Sequence, residues 1–262
     1  MTQSVGVNRE LTLGQRKLQA KFENVSPQFR KAGELLPGDE IYHLQTGWAC
    51  QLGSLSNGGR AIVDVFLPGD MIGLDSALHT GPPEGVVTLT AVTMRAIPAE
   101  DALLDLMTYR PAALYVAWLL GKRQQRADRR LAATSCLDAS GRLAMMVLDF
   151  YTRLKRRKLI TGSAYNLPLT QVQIAHYLGL TVVHINRVLR SLREARIVNL
   201  EKHCVTILDI ERLTRLAENG GIVSSSAAGV CEMSAVTARS PTIPSRGADP
   251  RSAMTALQGA QS

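Results

Sequence analysis

The chain is poor in cysteine, and its few cysteines lie far apart. They occupy positions 50, 136, 204 and 231, and no two of them form a Cys-x-x-Cys pair. This spacing favours separate reduced thiols over a disulfide framework or a zinc centre. We therefore expect no metal site and no cofactor.

Long apolar runs and familiar catalytic motifs are also missing. The apolar stretches are short and broken by charges or glycines, so none can span a bilayer. The segment from Met1 to Glu10 lacks the basic start and apolar core of a secretory signal. No glycine-rich phosphate loop and no Gly-x-Ser-x-Gly elbow occurs. We expect a cytoplasmic protein that has no membrane partner and is not an enzyme.

The positive charge is concentrated in one part of the chain. The net charge of the 262 residues is +8. Residues 122–215 carry 18 Lys and Arg against 7 Asp and Glu, whereas residues 1–121 carry 9 against 12. A basic segment of this kind is expected in a domain that faces a polyanion, although a solvated basic surface has the same composition.

The first half of the chain has the sequence pattern of a β domain. Residues 1–32 read as a polar arm with a short helix around Leu11–Phe22. Between residues 33 and 110, short runs of β-forming residues alternate with turn signals every 8–12 residues, which predicts an antiparallel sandwich or barrel. The turn signals are Pro37-Gly38-Asp39, Thr46-Gly47, Asn57-Gly58-Gly59, Pro68-Gly69-Asp70 and Gly81-Pro82-Pro83.

A long helix is predicted over residues 111–135. Its apolar stripe, Leu114, Ala117, Trp118 and Gly121, recurs at steps of three and four residues. The stripe either packs against the β domain or forms a dimer seam, and the pattern alone leaves both open. From residue 220 onward the chain consists mostly of small and polar residues, which predicts a disordered tail over 220–262.

The segment 170–191 has the pattern of a helix-turn-helix. This motif needs a small residue where its helices touch, a glycine in the turn and a branched apolar residue that locks the second helix. Ala175, Gly179 and Ile185 occupy those places, while Thr170 and Thr181 can cap the two helices. A further helix is expected before it, to about Lys155, capped by Asp138 or Ser140.

The second motif helix is predicted to be amphipathic and to read DNA. Ile185, Val188, Leu189 and Leu192 share one face, and Arg187 lies on the other. Arg187 is the preferred base reader, because its guanidinium fork can bridge the acceptors of guanine; Arg190 is expected to meet phosphate. Two β-type runs around Glu201–His203 predict a wing. The candidate DNA-binding residues are Ser140, Thr170, Gln171, Thr181, Val182, Val183, His184, Asn186, Arg187, Arg190, Ser191, Lys202 and His203.

These residues resemble the Crp/Fnr superfamily, the cyclic-AMP receptor protein and its relatives. The sharpest matches are Leu169-Thr170, Leu178–Val182, Arg187-Val188-Leu189, the sensor turn Phe66–Gly73 and the junction Asp138–Arg142. The resemblance implies an α+β chain with an N-terminal jelly roll like a cyclic-nucleotide-binding domain (33–110), a dimerisation helix (111–135) and a C-terminal winged helix-turn-helix (136–219). It also implies a homodimer on two-fold symmetric DNA, with RNA polymerase as a candidate partner.

The chain departs from the family pattern in two places. Many members carry Glu where this chain has Val183, and a valine cannot accept a hydrogen bond from a base, although it can pack on a thymine methyl. Cyclic-nucleotide binders present Gly-Glu and Arg-Ser, but here Leu74 follows Gly73, and no Lys or Arg occurs between Arg60 and Arg95. Neither a cyclic nucleotide, an iron–sulfur cluster nor haem through His43, His79 or Cys50 is expected.

Two functions remain as alternatives. The first is a sequence-specific DNA-binding transcription regulator whose signal the sequence does not reveal. The second is a jelly roll that captures a small ligand while the basic domain docks a partner other than DNA. An enzyme with a nucleic-acid-binding appendage is disfavoured because the chain lacks the motifs named above.

Overall fold

The computed structural model describes residues 2–54, 60–75 and 85–218. Within these residues, eight short strands lie between helix α1 (Thr2–Glu23) and helix α2 (Ala99–Thr108). The strands are β1 (Gln28–Arg30), β2 (Leu35–Leu36), β3 (Glu40–Thr46), β4 (Ala49–Ser54), β5 (Arg60–Phe66), β6 (Met71–Ile72), β7 (Val86–Thr88) and β8 (Val92–Pro98).

The strands form two antiparallel sheets that face each other. One sheet has the order β1-β8-β3-β6 and the other has the order β2-β7-β4-β5. Side chains alternate along each strand, so Tyr42, Leu44 and Met94 point between the sheets and are almost fully buried there. The predicted jelly roll is confirmed. Its first strand, β1, pairs with β8. The roll therefore begins within residues 1–32, which the sequence assigned to the arm.

Three of the predicted turns fall on described residues and are present. Gly47 and Gly69 adopt φ of +79° and +89°, which favours glycine because it has no Cβ. In the Pro68–Asp70 turn, the Asp70 carboxylate accepts a hydrogen bond from the Leu67 amide at 2.7 Å. The Asn57–Gly59 and Gly81–Pro83 signals lie outside the described residues, as do His79 and the tail from residue 219 onward.

Helix α3 (Arg110–Cys136) is the long helix that the sequence predicts. Helix α1 is longer than predicted and packs along α3; a Cβ on Gly14 would collide with the carbonyl oxygen of Pro111. Ala112 and Val116 are buried in this contact. The predicted stripe is called the seam face here, and its residues Leu114, Ala117, Trp118 and Gly121 are exposed. Trp118 and Gly121 also border cavities beside the sheet domain.

The C-terminal part is a winged helix-turn-helix. Helix α4 (Ala139–Arg156) starts at Asp138, whose carboxylate accepts from the Gly141 amide at 2.8 Å. The elements that follow are β9 (Ala164–Asn166), α5 (Gln171–Leu178), α6 (Val182–Glu194), β10 (Val198–Glu201), β11 (Cys204–Ile207) and α7 (Ile210–Glu218). Strand β9, which the sequence did not predict, pairs with β11 and completes a three-stranded wing sheet.

The roll and the winged helix share one hydrophobic core. Trp48 of the roll meets Phe150 of α4 edge to face, with ring centroids 5.4 Å apart. Beside it, Arg153 and Arg157 form ion pairs with the Asp70 carboxylate, and we call these three residues the clasp. The Arg153–Asp70 distance is 2.5 Å. The clasp therefore ties the end of α4 to the sensor turn.

Candidate nucleic-acid interface

The two motif helices start and end where their capping residues predict. The Thr170 hydroxyl accepts from the Gln173 amide, and the Gln173 side chain accepts in return from the Thr170 amide at 2.8 Å, which is a complete capping box. The Thr181 hydroxyl accepts from the His184 amide at 3.2 Å. Between the helices, Gly179 adopts φ +66°, ψ +39°. These local contacts set the angle at which α6 leaves α5.

Packing then fixes which face of α6 points outward. Ala175 is buried where the two helices touch, and Ile185, Val188 and Leu192 are buried beneath α6. Leu189 is half-buried at the edge of the same core. The three special positions of the motif are therefore occupied as predicted. With its apolar side anchored, α6 presents its other side to solvent.

The predicted contact residues lie on that outer surface. Val183 is 73% exposed although it is apolar, and Arg187 is also exposed. Val182 differs, because its side chain is half-buried against the core. The other predicted residues of the motif are exposed on the α5 start or on α6: Thr170, Gln171, Thr181, His184, Asn186, Arg190 and Ser191. The outer face of α6 thus combines cationic, amide and imidazole groups that suit base edges and phosphates.

One predicted DNA contact, Arg190, already forms an ion pair within α6. The Arg190 Nε donates to the Glu194 carboxylate at 2.8 Å, and this hydrogen bond, with the carboxylate's charge, raises the pKa of Arg190. Both side chains are exposed, so water and salt screen the pair. The remaining N–H groups of the Arg190 guanidinium are not used in this hydrogen bond and can donate to a phosphate oxygen.

The wing carries the next two predicted residues. Lys202 and His203 are exposed at the tip of the β10–β11 hairpin, with φ of +48° and +64°. The Nδ1 of His203 lies 3.3 Å from the Leu167 carbonyl oxygen, which orients the ring. Ser140 lies apart, half-buried in the first turn of α4.

Sequence reasoning missed further cations near the reading helix. Arg193 is exposed three residues after Arg190, and Arg196 is exposed just beyond the helix with φ +54°. Arg212 of α7 donates to the Ala195 carbonyl oxygen at 2.9 Å, which places its guanidinium beside the end of α6. The charge count of the segment signalled a basic domain, but only the fold shows which cations flank α6.

Replacing Gly179 with alanine should destabilise the protein by about 1 kcal/mol, because a Cβ strains a left-handed backbone. The cost is purely conformational, since a Cβ there would meet no atom within 4 Å. Urea unfolding followed by circular dichroism measures it. The matched control is Gly162→Ala, an exposed glycine that also has open space but no positive φ, which should be neutral or slightly stabilising.

The described residues contain no metal-binding cluster of His, Cys, Asp or Glu. Within the same residues, Cys50 is buried, whereas Cys136 and Cys204 are exposed, and all three are free thiols. No helix among them is both long and apolar enough to cross a bilayer.

Comparison with known proteins gives a consistent result. The model of the cyclic nucleotide-binding domain matches residues 31–109, and the model of the Crp-like helix-turn-helix domain matches residues 141–216. The CRP-like cAMP-activated global transcriptional regulator of Mycobacterium tuberculosis is 30% identical over 69% of this chain and 81% of its own length. The anaerobic regulatory protein of Haemophilus influenzae is 27% identical over 71% of both chains.

Solved structures share the fold at lower identity. FixK2 from Bradyrhizobium japonicum matches with a TM-score of 0.63 and 22% identity, covering 73% of this chain and 96% of that one. The CRP-family regulator TTHB099 from Thermus thermophilus matches with a TM-score of 0.57 and 18% identity, covering 72% and 96%. The order of roll, long helix and helix-turn-helix is therefore common to these proteins.

Proposed function

Since the chain belongs to the Crp/Fnr superfamily of transcription regulators, we propose that it binds a two-fold symmetric DNA site as a cytoplasmic homodimer. The observation that carries the proposal is the outer face of α6, where Arg187, Asn186 and His184 are exposed on a helix anchored by its apolar side. Such a helix fits the major groove, which offers base-edge acceptors along its floor.

The dimer is proposed from the seam face of α3. Leu114 and Trp118 are 36% and 38% exposed, and the space above Gly121 is open. An apolar stripe on an exposed helix is costly unless a second copy covers it, and a glycine in its centre permits close approach of two helices. Two parallel copies would direct their reading helices at half-sites one DNA turn apart. RNA polymerase is a further candidate partner once the dimer is bound.

The sensor is not proposed to hold a cyclic nucleotide. Leu74 stands where the family pattern has the ribose-binding glutamate, and it is almost fully buried. A cyclic phosphate inside the roll would also lack a cationic partner from residues 61–94 of the sequence.

Selection of bound sequences from a random DNA pool tests the proposal. A symmetric dimer should enrich a palindrome whose half-sites are one helical turn apart. Failure to enrich any sequence over a scrambled duplex, with or without cell extract to supply a signal, would refute sequence-specific DNA binding.

Replacing Arg187 with alanine should weaken binding to the selected site by about 1–3 kcal/mol and leave most of the affinity for random DNA. Its guanidinium is expected to read a guanine, so the loss should be sequence-dependent. Competition gel shifts on selected and random duplexes measure both affinities. Lys202→Ala is the contrast, because a phosphate contact from the wing should weaken both duplexes alike. Equal losses for Arg187→Ala would contradict the reader role.

The alternative is a ligand-binding roll whose basic domain docks a partner other than DNA. A salt titration separates the two. If several cations displace counterions from phosphates, the affinity for DNA should fall steeply and linearly in log–log form as salt rises. A flat dependence would favour the alternative.

A further inference from the structure

A cavity of about 730 Å³ lies where the sensor sheet meets the helices that connect it to the DNA-binding domain. Helix α1, strand β3, the turn after Leu67, α3 and the end of α4 contribute to its wall. Residues His43 and Gln45 of β3 line it, whereas their neighbour Tyr42 is buried between the two sheets. The cavity therefore reaches the outer side of the sheet, and Leu44 and Phe66 of the core between the sheets also border it. Its volume suits a small molecule.

The wall of the cavity is strongly cationic. Six Lys and Arg side chains line it, against one carboxylate, Asp70, which Arg153 and Arg157 already neutralise. Within the part of the chain that the structure describes, Lys122 and Arg156 form no ion pair. Arg123 pairs with Asp64 and Asp75, and Arg126 contacts Asp64. The unpaired positive charge of the wall is therefore that of Lys122 and Arg156, and an anion between them would relieve their repulsion.

A buried donor in the same wall lacks an acceptor. The Nη2 of Arg126 lies 3.5 Å from the Asp64 carboxylate, and its Nε has no hydrogen-bond partner among the described residues, although it is buried. A buried guanidinium N–H without an acceptor carries a desolvation penalty, and such groups in native proteins commonly mark an unfilled site. Arg126 also lines the cavity, so an anion bound there would lie next to this guanidinium.

The wall also has an apolar and aromatic part, which adjoins the cations, since the Nζ of Lys122 lies 5.8 Å from the centroid of the Trp118 ring. The rings of Tyr115 and Trp118 stack with centroids 5.8 Å apart and an interplanar angle of 18°. Leu119 and Leu159 lie in the same wall, and Leu159 is 47% exposed. Burial, followed by the charges of Arg157 and Arg95, lowers the pKa of His43 in the same wall.

We propose that this cavity binds a small organic anion that has a flat apolar body, and that its binding is felt by the DNA-binding domain. The anionic group meets Arg126, Lys122 and Arg156, while the body lies against the aromatic wall. Because α3 and α4 both line the cavity, the occupant contacts the sensor helix and the first helix of the DNA-binding domain together. Only this coupling to DNA rests on the proposed function.

Calorimetric titration of the full chain with phenyl phosphate tests the binding. Its phosphate and ring match the two halves of the wall, and saturable binding is expected. Phenol, which has the ring without the charge, and inorganic phosphate, which has the charge without the ring, should each bind at least about tenfold more weakly. Benzoate shows whether a carboxylate replaces the phosphate. Absence of phenyl phosphate binding, or equal binding of phenol or inorganic phosphate, would overturn the proposed ligand class.

Two matched double variants test whether phenyl phosphate binds in this cavity. Lys122→Gln with Arg156→Gln removes two cations that support no ion pair, so the fold should persist while binding of phenyl phosphate weakens at least about tenfold. Arg16→Gln with Lys31→Gln removes the same charge from exposed positions outside the cavity and should change binding less than about twofold. Equal weakening in both pairs would show nonspecific attraction and refute the site.

The coupling is tested separately by DNA binding. Saturating phenyl phosphate should change the affinity of the wild-type chain for its selected DNA by at least about fivefold, and should leave that of the Lys122/Arg156 variant unchanged. An unchanged wild-type affinity would refute the coupling and leave the binding site standing. A chain that binds the probe but no DNA would instead contradict the proposed function.

Discussion

Replacing Asp70 with alanine should destabilise the protein by about 3–5 kcal/mol, because Arg153 and Arg157 lose the buried carboxylate that they share and Arg153 keeps only the more exposed Asp149. The Asp70 and Arg153 side chains are only 11% and 12% exposed. Arg153 also donates to the Val65 carbonyl oxygen at 3.0 Å, so it cannot turn to solvent without losing that contact. Urea unfolding at neutral pH, followed by circular dichroism, measures the loss.

The control for this prediction uses the same arginine. Asp149 pairs with Arg153 at 3.3 Å, but its side chain is 32% exposed. Asp149→Ala should therefore cost no more than about 1 kcal/mol. Similar losses in the two variants would mean that burial does not decide the strength of the clasp.

The clasp should also make stability depend on pH. Burial by itself would raise the pKa of Asp70, but the charges of Arg153 and Arg157 and the hydrogen bonds from Arg157 and the Leu67 amide outweigh it and lower the pKa to about 2. An unfolded aspartate titrates near pH ~3.9. The unfolded state thus binds more protons between these values, so the stabilisation is complete above about pH 4–5 and is lost as the pH falls towards 2. Asp70→Asn should remove this part of the acid transition in unfolding curves.

The clasp illustrates what the sequence cannot predict. The Pro68-Gly69-Asp70 pattern predicts a turn, and the turn is present. The partners of Asp70 lie 83 and 87 residues further along the chain. No periodicity or cap connects positions so distant, and Lys155–Lys158 reads only as a basic run. Contacts of this kind depend on how two domains meet, which follows from packing rather than from local pattern.

The helix-turn-helix was predictable because its determinants are local. Thr170, Gly179 and Thr181 act within three or four residues of themselves, through caps and a left-handed turn. Strand β9 escaped prediction because it has three residues, of which only Tyr165 is buried, too few to show alternation. The Arg190–Glu194 pair has the i, i+4 spacing of a helical ion pair and could have been anticipated from the sequence.

Replacing Gly121 with glutamate should break the proposed dimer and weaken binding to a symmetric DNA site by about 10²–10⁴-fold. The magnitude follows from linkage, because a dimer presents its second reading helix at a high effective concentration and a monomer does not. The substitution suits the monomer, since a Cβ at this position meets no atom within 4 Å and glutamate is a better helix former than glycine. A loss of function would thus not arise from misfolding.

The control is Ala20→Glu, which places the same charge on an exposed position of helix α1, outside the seam face of α3. Sedimentation should find wild type and Ala20→Glu as dimers and Gly121→Glu as a monomer, while binding to a single half-site should be alike in all three. Two like charges facing each other across a close apolar contact are desolvated without a partner, and that cost opposes association. If Gly121→Glu stayed dimeric and bound its palindrome normally, the partner copy would have to cover some other surface, and the exposed seam face of α3 would need a different occupant.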